Sequence, residues 1–356
     1  MSRGASLSVT GQPAPQKAVG AWLLVCCVLI TAMVMLGGYT RLTGSGLSMV
    51  DWDPIMGALP PLTQSDWEAT FRAYRQSPEY QKINTGMDLA GFKRIFYIEY
   101  GHRMLGRTIG VVFLLPFLYF ALRGRINARL AGGLLVIFGL GALQGVMGWY
   151  MVKSGLVDRP HVSQYRLTAH LAFAFVIYGL IWWLALSQLF PGRRPDTLRR
   201  EETQRFEGLV WAVTGLVAVT ILSGGFVAGL RAGFAYNTFP LMNGQWIPES
   251  AFAMEPLFRN FFSNIALVQF DHRWLATLVL LVTFGLWTTA RRTPLPPRAE
   301  LGMHLWLGAA VLQFGLGVTT LLLRVPVALG VIHQAGAILL FSCALFVAHG
   351  LRRIPG

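Results

Sequence analysis

Eight apolar stretches, each close to membrane-spanning length, constrain this chain more than any other feature: residues about 20–40, 96–121, 130–150, 168–190, 208–230, 264–289, 302–323 and 327–350. A helix of about 20 residues crosses the hydrocarbon core of a bilayer. Inside that core each stretch must satisfy its own backbone hydrogen bonds, so all eight are predicted to be helices. A transmembrane barrel would need alternating segments of about ten residues, and the sequence has none. Only 13% of the 356 residues are charged and 54% are hydrophobic. The expected fold class is an all-α polytopic membrane protein with eight transmembrane helices.

The net charge of +14 would suit a nucleic-acid binder, but its distribution argues for a membrane orientation instead. If the N-terminus is cytoplasmic, the short loops on that side hold Arg3, Lys17, Arg123, Arg125, Arg129, the cluster Arg193–Arg205, Arg291, Arg292, Arg298, Arg352 and Arg353. Basic residues concentrate on the cytoplasmic side of membrane proteins. Both termini are therefore expected inside, with lipid and not nucleic acid as the surroundings. The first apolar run is long for a cleaved signal and lacks a cleavage context at Leu36–Tyr39. Residues 1–18 read as a disordered cytoplasmic tail, too short and too poor in arginine for a mitochondrial transit peptide. A bacterial inner membrane is the expected location, ahead of the mitochondrial one. Cys26, Cys27 and Cys343 all lie inside spans, so no disulfide is expected.

The order of features in the first half returns in the second. Gly37–Ser48 is echoed by Gly224–Gly233, Glu99-Tyr-Gly-His-Arg103 by Gln269-Phe-Asp-His-Arg273, Leu143–Gly148 by Leu312–Gly317, and the entry to the fourth span by Val331–Gln334. Four spans followed by four in the same orientation form a parallel repeat. The expected architecture is two pseudo-symmetric four-helix bundles, 19–190 and 208–350, joined by a charged linker at 191–207. Trp67, Phe71 and Tyr74, at i, i+4 and i+7, predict an amphipathic surface helix in the long first outer loop.

Four histidines fall near the starts of the spans that run inward: His102 and His170 in one half, His272 and His333 in the other. Ionisable residues inside membrane helices are costly, about 2.5–3.5 kcal/mol for a charge at the centre, so a matched set needs one explanation. Imidazole is a common axial ligand of haem iron, and two bis-histidine sites, one per bundle, account for all four. Small residues at Gly106, Ala276, Gly330 and Gly336 would make room for a porphyrin. Arg41, Arg103, Arg107, Arg166 and Arg273 could meet anionic groups such as propionates. A bare metal ion would want acidic or thiol company, and only His102 has a carboxylate on its own helical face. His161, His304 and His349 have no counterpart in the other half and read as surface or interface residues.

The halves differ at one position. Glu99 lies three residues before His102 on the same helical face, and its counterpart is the neutral Gln269. Glu99 is thus either an ion-pair partner of Arg103 or Arg107, or a carboxylate placed for proton delivery or substrate positioning.

At these residues the chain resembles the haem A synthase family. The resemblance runs from Gly37 to Gln334 and is carried by Gly38–Ser48, Trp52-Asp-Pro54, Gly57–Pro61, Glu99–Arg103, Gln144 with Gly148-Trp149, His170, Asp271–Arg273 and His333-Gln334. It implies a haem-dependent oxidoreductase that converts the C8 methyl of haem O to the formyl of haem A by successive hydroxylations, supplying cytochrome oxidase. It also implies the site assignment. His102 and His170 would ligate the substrate haem iron, with Glu99 catalytic and Arg41, Arg103, Arg107 and Arg166 around the substrate. His272 and His333 would ligate a resident haem b, with Arg273 beside it. Implied partners are haem O, haem O synthase and a separate electron donor, with a homo-oligomer an open alternative. Some members carry a cysteine pair in the first outer loop; this chain has none. Two other classes remain as alternatives: a dihaem quinol-oxidising cytochrome b-like carrier, which would not depend on Glu99, and a transporter with a histidine proton relay, which would hold no haem.

Overall fold

The apolar runs become helices that end at a cap or before a proline, except that the second spanning helix continues through Pro116. In the computed structural model, which describes residues 16–50, 59–155, 162–191 and 200–352, eight long helices coincide with the eight predicted spans. In chain order the helices are α1 (Lys17–Leu42), the short α2 (Gln64–Arg75) and α3 (Pro78–Lys82), α4 (Leu89–Leu122), α5 (Ala128–Gly155), α6 (Gln164–Leu189), α7 (Arg200–Gly229), the single turn α8 (Asn260–Ser263), α9 (Ile265–Ala290), α10 (Pro297–Leu322) and α11 (Val327–Leu351). No strand occurs among the described residues. Start signals are local: Asp88 accepts from Gly91 N at 2.8 Å to open α4, Asn264 accepts from Ala266 N and Leu267 N to open α9, and Pro296 and Pro326 stand immediately before α10 and α11. Because α7 reaches back to Arg200, residues 200–207 of the expected linker are its first turns. The tail as far as residue 15, Trp52–Pro54, Gly57 and His161 lie outside the described residues.

Helices α1, α4, α5 and α6 pack as one closed ring, and α7, α9, α10 and α11 as another. The rings meet along α1–α11, α6–α7 and α6–α11. Each ring has an apolar centre. Trp22, Leu23, Phe113, Phe117 and Ile181 fill the first, and Phe206, Met303, Trp306 and Val347 fill the second. Large apolar residues facing outward, such as Val28, Leu115, Val136 and Leu281, are what a lipid-facing surface requires. The three cysteines are free and buried.

Above the first ring, α2 and α3 form a cap. The predicted stripe is its buried face: Trp67 and Tyr74 are buried and Phe71 stacks on Phe92. The cap also corrects the expected start of the second span. Apolar contact with Trp67 and Tyr74 draws Phe92, Ile95 and Phe96 into the helix. As a result α4 begins at Leu89, and Glu99 and His102 lie inside it, not at its mouth. Within the cap Glu79 is buried and accepts a hydrogen bond from Tyr74 Oη at 3.1 Å. Burial raises its pKa from 4.5 to about 7. A raised carboxyl pKa makes the folded state bind more protons than the unfolded one, so stability is full below pH 4.5 and falls as pH rises through 7. The loss is up to about 3 kcal/mol at 1.36 kcal/mol per pKa unit. The protection factors of the α2 and α3 amides, referred to the intrinsic base-catalysed exchange rate at each pH, are accordingly expected to fall between pH 5 and pH 8, and the Glu79→Gln protein to lose most of that fall. An equal fall in Glu79→Gln would assign the effect to another group.

At the opposite end His349 is buried between the rings and not on the surface. Its Nδ1 accepts from Arg298 at 2.7 Å, so its Nε2–H faces Ser187 Oγ at 3.2 Å. Arg298 also donates to His349 O, and Arg352 to Phe190 O. Cations there complement helix C-termini. His304 is exposed and accepts from Trp287 Nε1.

Candidate functional site: two histidine pairs

Helices α4, α6, α9 and α11 carry their histidines toward the same end of the molecule, and each ring brings its two together. His272 and His333 have ring centres 6.5 Å apart with planes at 90°. Two imidazoles on opposite sides of one metal, each bonded at about 2 Å, have ring centres roughly 6 Å apart, so an iron fits between them. The tautomer of His272 follows from its partners. Ser223 Oγ donates to Thr220 O at 2.7 Å, so at 2.8 Å it accepts from His272 Nδ1–H. Nε2 is left with its lone pair for a ligand, an outer hydrogen bond of the kind that orients metal-bound histidines. In the first ring His170 lies within electrostatic reach of His102. His170 Nδ1 and His333 Nδ1 are buried with no protein partner.

Each imidazole rests against a glycine of a neighbouring helix. A methyl group at Gly224 would stand 3.0 Å from His272 Cε1, one at Gly317 3.0 Å from His333 Cε1, one at Gly148 3.2 Å from His170 Cε1, and one at Gly37 3.6 Å from His102. These four glycines make room for the imidazoles themselves. Gly106 faces Met33, Gly330 faces Leu42 and Gly336 lies under Gln313, because residues along a histidine's own helix turn toward other neighbours. Gln144 Nε2 and Gln313 Nε2 donate to His170 O and His333 O, each at 3.0 Å. The spacings at the glycines grade the expected effect of an added methyl. Gly224→Ala and Gly317→Ala are expected to displace their imidazoles and lower haem retention, Gly148→Ala less so, and Gly37→Ala least. Haem per chain after purification checks the order, and a reversed ranking would contradict it.

Glu99 is buried, 2% exposed. Its Oε1 accepts from Arg103 at 2.6 Å, while Oε2 accepts from Ser48 N at 2.7 Å, Ser48 Oγ at 2.8 Å and Met49 N at 3.0 Å. That occupies the roughly four lone-pair sites of a carboxylate and fastens the loop after α1 over the first ring. In the second ring Gln269 Oε1 accepts from Arg273 as Glu99 Oε1 does from Arg103, but toward the loop backbone the sense is reversed. Gln269 Nε2 donates to Ala232 O and Tyr236 O, and Arg273 donates to Tyr236 O and Thr238 O. Arg41 donates to Ala228 O and Gly229 O at the end of α7, so it ties the rings together. Arg166 packs over the ring of Tyr150, and Arg107 donates to Met104 Sδ.

The sequence reading missed Ser48, Ser223 and the roles of the four glycines. A signal was present: Gly37-Gly38 and Gly224-Gly225 recur at matching positions, as do Gly148 and Gly317. Which side chain each faces is a tertiary fact.

Eight spans in two rings, each bringing a pair of half-buried histidines against glycine walls, define a polytopic membrane protein with two candidate metal-ligand sites. Residues 20–345 match the COX15-CtaA family of cytochrome oxidase assembly proteins, and the chain belongs to it. It is 54% identical over 344 residues to a protein named haem A synthase in Nitrosospira multiformis, covering 96% of this chain and 95% of that one. It is 46% identical over 349 residues to haem A synthase COX15 of Homo sapiens, covering 96% and 84%, and 46% identical over 357 residues to its Arabidopsis thaliana namesake, covering 98% and 78%.

Proposed function

We propose that the chain is a haem A synthase that oxidises the C8 methyl of haem O to a formyl group by successive hydroxylations, in support of cytochrome oxidase assembly. The observation that carries this reading is the pair of matched histidine sites set in unlike surroundings. In the second ring Ser223 fixes the tautomer of His272, as suits a permanent ligand. Leu36 stands at the matching place beside Gly37, as suits a site whose occupant must leave. His272 and His333 would hold the resident haem b, which supplies one-electron transfer. His102 and His170 would face the substrate.

The chain's own residues have three tasks. Gly37 and Gly148 leave the substrate ring space between α1, α4, α5 and α6. Arg103, Arg107 and Arg166 supply positive charge at the same end, complementary to propionates, whereas Arg41 and Arg273 act mainly by holding backbone carbonyls. Glu99 clamps the Gly44–Met49 loop. Once Ser48 and Met49 detach, its Oε2 becomes free to face the substrate, so the position of the loop and the availability of the carboxylate are linked. Electrons come from a separate donor and the substrate from a haem O synthase. The excess of basic residues in one set of loops and the bacterial relatives support a bacterial inner membrane with both termini cytoplasmic.

Extraction of pigment from protein purified out of cells that make haem O tests the reading. Haem b together with haem O or haem A is expected. Haem b alone would favour a dihaem carrier, and no haem a transporter.

A further inference from the structure

Two buried oxygen atoms at the boundary between the rings have no hydrogen-bond donor: Gln334 Oε1 on α11 and Thr168 Oγ1 on α6. Unsatisfied buried acceptors are uncommon and need an explanation. Both oxygens stand against the second glycine of a Gly-Gly pair in the other ring. A methyl group at Gly38 would overlap the Gln334 amide, 2.6 Å from its Cδ. One at Gly225 would stand 2.9 Å from Thr168 Oγ1 and 3.3 Å from Thr168 Cα. Only glycine lets the helices approach this closely, and glycine Cα–H groups are the weak donors that recur at helix–helix contacts.

The first glycine of each pair is the one that backs a histidine. Gly37 lies against His102 and Gly224 against His272. Two short bridges result. One runs from His333 through its neighbour Gln334 to Gly38, Gly37 and His102. The other runs from His170 through Thr168, two residues away, to Gly225, Gly224 and His272. Each joins a histidine of one ring to a histidine of the other.

We propose that Gln334 and Thr168 are positioning residues that couple the two histidine pairs, so that filling the first site alters the ligand field of the second. This rests on the substrate and cofactor assignment made above. The physical basis is the packing. A glycine has no side chain to absorb displacement, and close-packed interiors transmit strain. An imidazole pushed toward Gly37 moves backbone that Gln334 touches directly. Coupling between two sites is reciprocal, so the resident haem must in turn influence how tightly substrate binds. In such an arrangement the resident haem is tuned to donate when substrate is present.

The test is a potentiometric titration of the resident haem in purified protein, with and without saturating haem O, under anaerobic conditions that prevent turnover. A coupling of about fivefold in affinity corresponds to a shift of about 40 mV at 59 mV per tenfold for one electron. The expected result is a shift of that order in the unaltered protein and in Thr168→Ser, which keeps the oxygen. The shift is expected to be largely lost in Thr168→Val and Gln334→Leu, with saturable haem O binding retained. A purely structural role would lower thermal stability in the two apolar variants and leave the shift in place. Saturable binding with no shift in the unaltered protein, or an undiminished shift in both apolar variants, overturns the coupling alone. Absence of saturable haem O binding overturns the substrate assignment as well, so the two failures are distinguishable.

Discussion

Replacing His333 with alanine is expected to strip the second ring of its haem, while His102→Ala and His170→Ala leave that haem in place. The 6.5 Å separation of His272 and His333 would let both imidazoles hold one iron, so deleting either imidazole would remove one of its two protein ligands. The flanking glycines, Gly224 and Gly317, shape the space to the imidazole, and alanine at 333 cannot reach across it. Ser223→Ala is a graded version of the same experiment. It removes the hydrogen bond that fixes the His272 tautomer, and losses of this kind cost about 10–100-fold in metal affinity. The measurement is the optical spectrum and haem content of the purified variants. Restoration of the His333→Ala spectrum by added imidazole would locate the defect at the ligand. Retention of an unchanged six-coordinate haem in His333→Ala would remove this residue from the ligand set.

Glu99→Ala carries the second large effect, a fall in haem A formation of about 100-fold or more, the range of a lost acid–base group. The resident haem is expected to remain. The change also leaves the Arg103 guanidinium without its buried partner, which typically costs about 3–5 kcal/mol, and frees Ser48 N and Met49 N. Glu99→Gln keeps the shape and can keep its carbonyl oxygen on the Ser48 and Met49 donors by turning its amide nitrogen toward Arg103, so it should hold the loop better than alanine while losing the charge. Amide exchange at Ser48 and Met49 separates the clamp from the chemistry. If loop protection is lost and haem A still forms at the normal rate, the carboxylate is only a fastening. If activity is lost in Glu99→Asp with the loop still protected, the carboxylate has a chemical task as well.

How much of this was legible beforehand varied by residue. The stripe Trp67–Phe71–Tyr74 was readable because helical period alone places three aromatics on one face. The four histidines stood out because an ionisable side chain in an apolar run is costly, and a costly residue repeated in register calls for a shared cause. Arg41 was read as a group that could meet an anion; sequence cannot show that it also holds the last carbonyls of α7. His349 looked peripheral because its partners Ser187 and Arg298 are distant in the chain.

The sequence by itself determined the number of spans, and it marked the four candidate ligands and the carboxylate Glu99 where the second half has Gln269. These follow from bilayer thickness, helical period and the cost of burying polar groups, all of them local quantities. Only the tertiary structure decided which glycine stands behind which imidazole, which hydroxyl sets the tautomer of His272, and that both oxygens of Glu99 are engaged by Arg103 and the Ser48–Met49 backbone. Those facts depend on how helices far apart in the chain rotate against one another. A rotation of one residue would turn Gly37 or Gly224 away from its histidine without altering any pattern visible in the sequence.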